Sequence, residues 1–214
     1  MNLDQVIRDR RSIRNYTTKP LEEELLLQII DAGRWAPSAC NDQNFHFIII
    51  KEKETFDTIL AYGAASFIKN INTAVLVLYK NTGMNQEYKD YVQSGAACVQ
   101  NMLLKAHSLG LGACWVCNLP SQTRMRKIFE IPSLYEVIAL VTLGYPTTSP
   151  RVMQRKQDLT EIISHEKFTS TEEIQKLTSL KLFVKRTLRK IYYHAPKWNF
   201  VRKIAGKLEK KFDN

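Results

Sequence analysis

The sequence predicts an α+β fold, and three observations carry that prediction. Segments of helical and strand character follow one another without regular βαβ alternation, which favours helices packed on a sheet over a doubly wound parallel architecture. Apolar residues make up 44% and charged residues 24% of the 214, the balance of a folded domain with a sizeable core. The longest apolar runs, residues 47–50 and 74–79, fit buried strands and are far shorter than the roughly 20 residues that cross a bilayer.

Residues 3–9 read as a short helix leading into a run of arginines. A strong helix is expected over 20–35. Glu22, Glu23 and Glu24 fall in its first turn, where the helix dipole favours anions, and Leu25, Leu26, Ile29, Ile30 and Ala32 supply an apolar face. Ala36-Pro37-Ser38 stops it, because proline disfavours helical geometry in the residue before it. The β-branched and aromatic runs 45–50 and 73–79 are strands. Residues 88–109 form the longest helix, with Val92, Ala96, Val99, Leu103 and Ala106 on one face. Its other side carries Ala97, Cys98, Met102 and Leu104, and a helix apolar nearly all round belongs in a core or an interface. Gly110-Leu111-Gly112 ends it. A strand over 113–117, a helix over 121–130 and a buried strand over 136–143 follow, the last closing at Gly144-Tyr145-Pro146. There is no internal repeat and no low-complexity tract.

The N-terminus has no basic start followed by an apolar core, so a cytoplasmic protein is expected. Four cysteines are too few and too scattered for a disulfide framework. Cys114-Trp115-Val116-Cys117 has C-x-x-C spacing, but side chains three apart on a strand point to opposite faces. No dithiol function and no metal site is expected. The net charge of +10 is unevenly placed: 12 of the 31 Lys and Arg, but only Glu209 and Asp213 among the 21 acids, lie in residues 175–214, so the rest of the chain is balanced at 19 of each.

Two segments could carry chemistry. Arg10-Arg11-Ser12-Ile13-Arg14, just after a helix, can grip a phosphate through charge-assisted, partly bidentate hydrogen bonds, although basic clusters are more often solvated surface. The stretch from Pro37 through Ser38, Ala39, Cys40, Asn41, Asp42 and Gln43 is a rigid loop of hydroxyl and amide groups between helix and strand. Such a loop can read a flat polar heterocycle, or can be an ordinary turn.

Taken together, these segments resemble the nitroreductase family. The first runs Arg10-Arg11-Ser12-Ile13-Arg14-Asn15-Tyr16; the second holds Pro37-Ser38-Ala39 with Asn41 and Gln43. A third likeness runs from Gly95 to Ala106 and on through Leu109-Gly110-Leu111-Gly112-Ala113-Cys114-Trp115-Val116. The fourth is Gly144-Tyr145-Pro146 followed by a basic pair. The resemblance spans about residues 5–168.

It implies a mixed sheet flanked by helices in an intertwined homodimer, with FMN bound at the interface. It further implies that Arg10, Arg11 and Ser12 hold the phosphate and ribityl end, with Arg155 or Lys156 reaching the phosphate. Arg14 would lie near the pyrimidine edge, where a cation stabilises the charge left by two-electron reduction. Pro37, Ser38, Ala39 and Asn41 would come from the partner subunit, with Gln43 supporting the loop. Trp115, Val116, Cys117 and Asn118 would run past the isoalloxazine, and the amide of Cys117 or Asn118 would donate to the flavin nitrogen. No side chain is implied as an obligate acid or base, because the flavin carries the chemistry.

The activity implied is ping-pong, NADH- or NADPH-dependent reduction of a nitro, quinone or related small-molecule acceptor. Flavin breakdown, azoline oxidation or FMN binding without turnover are the alternatives. Asn44 stands where relatives usually have proline, and Phe45 where tryptophan is common. Neither change removes a flavin hydrogen bond. Ser66 or Asn70 could supply a polar flavin contact in the poorly matched stretch 61–72.

The division expected is an FMN-binding domain over 1–168 and a basic amphipathic helical extension over 169–214. In the extension Ser170 and Glu173 have capping-box spacing. Residues 181–193 interleave apolar side chains with Lys185, Arg186, Arg189 and Lys190. After Pro196, Trp198, Val201, Ile204, Leu208 and Phe212 recur at helical spacing among lysines and Arg202. This pattern fits docking on an anionic membrane surface, or packing against the protein itself. Nucleic acid is not an expected partner.

Overall fold

The computed structural model describes residues 1–82, 87–149 and 153–169, together with Thr187. The chain divides into two units, Met1–Pro150 and Arg151–Asn214.

In the first unit, α1 (Leu3–Asp9) opens with a capping box: the Asn2 side chain accepts from Gln5 N (2.9 Å), and Gln5 Oε1 accepts from Asn2 N (3.1 Å). Helix α2 (Glu23–Arg34) begins three residues later than the proline suggests. Glu22 is its N-cap, and Glu23 and Glu24 occupy the first turn. Strand β1 (Phe45–Ile50) is followed by α3 (Lys53–Ala61), which the sequence reading missed, and by a 3-10 turn over Ser66–Asn70. Then come β2 (Thr73–Lys80), the long α4 (Asp90–Ser108), β3 (Gly112–Val116), α5 (Gln122–Phe129) and β4 (Tyr135–Gly144).

The strands form one sheet in the order β1-β2-β4-β3, and every pair is antiparallel. The mixed sheet expected is therefore corrected: among the described residues, parallel pairing is confined to a bridge between Ser12 and Ala113. Strand β2 is buried on both faces, which is why it reads as unbroken apolar sequence. Val75 and Val77 face α2 and α4 with Leu26, Ile29, Val99 and Met102, whereas Leu76 and Leu78 join Phe56, Ile59 and Met125 on the other side.

The buried stripe of α4 is rotated from the one expected. Val92 is 39% exposed, and Gly95, Cys98, Val99, Met102, Leu103 and Ala106 face inward. A β-bulge explains part of this. The pairing of β2 with β4 jumps from Val77↔Ala139 to Leu78↔Val137, so Ile138 has no partner and turns out of the ladder. Its side chain seats against Gly95, where a Cβ would lie 2.7 Å from Ile138 Cγ1. The close approach of helix to sheet requires glycine there.

The described part of the second unit, 153–169, is exposed and holds a 3-10 turn over Leu159–Ile162, capped by Asp158 and Glu161. Thr187 is helical. The capping box at Ser170 and the two amphipathic stretches otherwise lie outside the described residues. No described helix is long and apolar enough to cross a membrane.

Candidate functional site

The arginine segment is not a loose surface cluster. Arg10 caps α1, its N–H donating to Val6 O (3.1 Å). From there the chain runs beside β3: Ser12 bridges Ala113 in parallel, and Ile13 N donates to Ala113 O (3.0 Å). Gly112 lets Ile13 lie flat on the strand, since a Cβ would fall 2.8 Å from Ile13 Cγ2. Tyr16 fastens the other end. Its hydroxyl donates to Ile13 O (2.6 Å) and pairs with Thr142 Oγ1 (2.7 Å), and its ring fills the space beside Gly144. Burial pushes the Tyr16 phenol well above its usual pKa, so it stays a neutral donor. Thr17 N donates to Tyr145 O (2.8 Å) and Tyr16 bridges Pro146, which brings the Gly144-Tyr145-Pro146 turn against the same segment.

Cys114 lies on β3 next to Ala113, the residue bridged by Ser12. Burial raises the Cys114 pKa, whereas Arg14, Arg10 and a hydrogen bond from Ser12 draw it down, and Cys117 adds to the rise. The alternation argument for the C-x-x-C pair holds only in part. Strand β3 stops at Val116, so Cys117 is released from it, and the Sγ atoms of Cys114 and Cys117 both approach Trp115 O, at 3.6 and 3.9 Å. Both cysteines are free thiols. Among the described residues no cluster of His, Cys, Asp and Glu could hold a metal ion.

Two clefts flank this segment. At the start of β3 a cleft of about 340 Å³ is lined by Arg11, Ile13, His107 and the hydroxyls of Thr147, Thr148 and Ser149. Arg11 donates to Arg8 O and Arg10 O, which folds its guanidinium back over α1. Burial holds the His107 pKa below its usual value, with Arg10 and Arg11 adding to the effect against Asp9. At the end of β3 a cleft of about 380 Å³ is lined by Trp115, Val116, Cys117, Gln122, Val137 and Ile138. Gln122 stands in for a missing strand there: its amide donates to Val137 O (2.7 Å) and accepts from Val137 N (3.1 Å).

The polar loop sits elsewhere. Ser38 precedes a 3-10 turn over Ala39–Asn41, and Cys40, Asn41 and Gln43 all have positive φ, at 52°, 57° and 49°. Left-handed geometry costs on the order of 1–2 kcal/mol per non-glycine residue, so the loop must be held from outside. Ser38 Oγ accepts from Gln43 N (3.0 Å), and Gln43 Nε2 donates to Asn41 Oδ1 (2.9 Å). Ser94 of α4, buried and unremarked in the sequence reading, accepts from Ala39 N (3.0 Å) and donates to Asp90 O (2.9 Å). At 1.5 Å per helical residue, Ser94 and His107 lie about 20 Å apart along α4. The loop is thus anchored far from the cleft beside Arg11.

Pro37 is exposed at the end of α2. Trp115 is half-buried, Val116 buried and Cys117 exposed, and Asn118 O accepts from Ala65 N (3.0 Å). Ser66 and Asn70 lie on the 3-10 turn that follows Ala65. Arg155 and Lys156 are exposed residues of the second unit.

Comparison with known proteins agrees with this architecture. The nitroreductase family profile matches residues 7–90 and 59–145. A relative from Methanothermobacter thermautotrophicus, whose name couples NADH dehydrogenase with NAD(P)H nitroreductase, is 35% identical over 156 residues, covering 70% of this chain and 80% of its own. The crystal structure of a nitroreductase family protein from Clostridium difficile superposes with a TM-score of 0.69 at 28% identity, covering 78% of this chain and 100% of its own. A Desulfovibrio desulfuricans structure described as a complex with FMN superposes at 0.65 with 30% identity, covering 79% and 99%. With its arginine segment, polar loop and glycine-bounded strand in these positions, the chain belongs to the nitroreductase family.

Proposed function

We propose that this protein is an FMN-dependent NAD(P)H oxidoreductase, acting as a homodimer on a nitro, quinone or related small-molecule acceptor in a ping-pong cycle. The observation that carries the reading is the segment from Arg10 to Arg14 locked along β3 by the Ser12–Ala113 bridge and the bond from Ile13 N to Ala113 O. A run of arginines with a serine hydroxyl, next to the cleft that Arg11 and Ile13 line, suits a phosphorylated planar heterocycle. FMN, when bound, supplies the two-electron chemistry that links the nicotinamide donor to the acceptor.

The chain's own residues bind and tune it. Arg10, Arg11 and Ser12 would hold the phosphate and ribityl end, Arg11 once its guanidinium swings off Arg8 O and Arg10 O. Arg14 stabilises the negative charge that reduction places on the pyrimidine edge. The segment from Trp115 to Asn118 would border the ring, and the amide of Cys117 or Asn118 would donate a hydrogen bond to the flavin. The loop of Pro37, Ser38, Ala39, Asn41 and Gln43 reaches the flavin of a second subunit. Leu27, Trp35, Tyr88 and Val92 are exposed apolar side chains on or beside α2 and α4 that a second copy would cover.

Under anaerobic conditions, NADH or NADPH bleaches the visible absorbance of the FMN-loaded protein within seconds, and a screen of acceptors then restores it. A yellow protein that neither donor reduces is a flavin carrier. A colourless protein indifferent to added FMN sinks the reading.

A second reading concerns location. Residues 175–214 hold the whole net positive charge, and 78% of this chain already accounts for the full Clostridium difficile structure. Each Lys or Arg near an anionic leaflet contributes about 1 kcal/mol, and the interleaved aromatic residues suit the interface. On this reading the tail docks the enzyme on an anionic membrane surface. Full-length protein then sediments with phosphatidylcholine vesicles containing phosphatidylglycerol at low salt, and is released by high salt. A chain ending at residue 168 stays in the supernatant. Equal sedimentation of the two forms removes the tail from the account.

A further inference from the structure

We infer that Ser94 is a positioning residue for FMN binding, acting through the polar loop whose backbone it holds. The inference rests on the reading of that loop as a flavin contact. Ser94 is 4% exposed and is the polar residue at the buried face of the N-terminal half of α4. Its hydroxyl takes the Ala39 amide hydrogen at 3.0 Å and gives its own hydrogen to Asp90 O at 2.9 Å, so donor and acceptor capacity are both used.

The anchor is rigid for a reason that can be traced. Ile138, pushed out of β4 by the bulge, fills the notch at Gly95, and Ser94 is the next residue in the helix. Sheet, bulge, helix and loop thereby form one chain of contacts. The loop needs that anchor because Cys40, Asn41 and Gln43 are held in left-handed geometry, which relaxes when a restraint is lost. The bonds Gln43 N to Ser38 Oγ, Gln43 Nε2 to Asn41 Oδ1, Asn41 N to Ser38 O and Asp42 N to Ala39 O all lie within the loop and cannot fix its place on the body, and Lys80 N to Asn44 O holds its exit beyond the left-handed residues. Among the described residues, Ser94 is the side chain of α4 that fastens the 3-10 turn over Ala39–Asn41.

The test compares Ser94→Ala, Ser94→Thr and Asn41→Ala by FMN titration at a temperature well below melting. Ser94→Ala raises the FMN dissociation constant about tenfold, because the Ala39 amide is left without an acceptor. Ser94→Thr, which keeps the hydroxyl, returns it to within about threefold of wild type; recovery by threonine separates positioning from a general loss of packing. If Asn41→Ala weakens FMN and Ser94→Ala stays within twofold of wild type, the loop reading survives and the role of Ser94 is overturned. Failure of threonine to restore affinity overturns it as well. If Asn41→Ala itself leaves FMN affinity unchanged, the loop is not a flavin contact and the inference falls with it.

Discussion

Replacing Arg14 with alanine weakens FMN binding by about ten- to a hundredfold, the loss of one charge-assisted hydrogen bond at about 1.5–3 kcal/mol. It also makes the bound flavin harder to reduce. A cation at the pyrimidine edge favours the reduced, more negative cofactor. Losing about 1.4 kcal/mol of that preference moves a two-electron midpoint potential about 30 mV more negative. Geometry explains why Arg14 and not a neighbour should carry this effect. Arg11 Nη1 is held by Arg8 O and Arg10 O at 2.6 and 2.7 Å, whereas Arg14 lies two residues past the Ser12 bridge, toward the end of β3, with a longer bond of 3.4 Å from Nη1 to Ser12 O. Arg14→Lys keeps the charge but not the planar fork, so it retains most of the potential and less of the affinity. Anaerobic redox titration together with FMN titration separates the two effects. An unchanged potential in Arg14→Ala would place the residue away from the ring.

The parts of this molecule that were legible in the sequence are those written in side-chain period and punctuation. Strands β1 to β4 and helices α1, α2, α4 and α5 fall within a few residues of their expected bounds, because acidic first turns, prolines and glycine pairs mark them. Helix α3 was missed because it is short and its inward face is little more than Phe56 and Ile59 among charged residues and threonines. The misjudged face of α4 has another cause. Gly95 sets the rotation by what it lacks, and a missing side chain leaves no mark in an apolar pattern.

The candidate site shows the same division. The arginine segment and the polar loop were visible as composition. What holds them was not. Tyr16 belongs to the arginine motif, yet its bond to Thr142 joins residues 126 apart. Ser94 meets Ala39 across 55 positions, and nothing local to either residue announces the contact. The signal available was a serine on a helix otherwise apolar on its buried side. A buried hydroxyl needs partners, so such a residue points to something it must hold.

The origin of the loop at each flavin has a consequence that single substitutions cannot reveal. Chains carrying Arg14→Ala and chains carrying Asn41→Ala each form homodimers with both sites impaired. If each site takes Arg14 from one chain and Asn41 from the other, the mixed dimer differs sharply from either parent. One of its sites carries both substitutions, and the other carries neither. A heterodimer isolated through two different tags then binds about one FMN per dimer with wild-type affinity and keeps about half the wild-type turnover. If the loop serves its own chain, both sites of the mixed dimer carry one substitution each. Affinity then stays as weak as in the parents, with no wild-type fraction in the titration. Recovery of one intact site from two defective chains requires a cofactor enclosed by both subunits, a result that general destabilisation by either substitution cannot imitate.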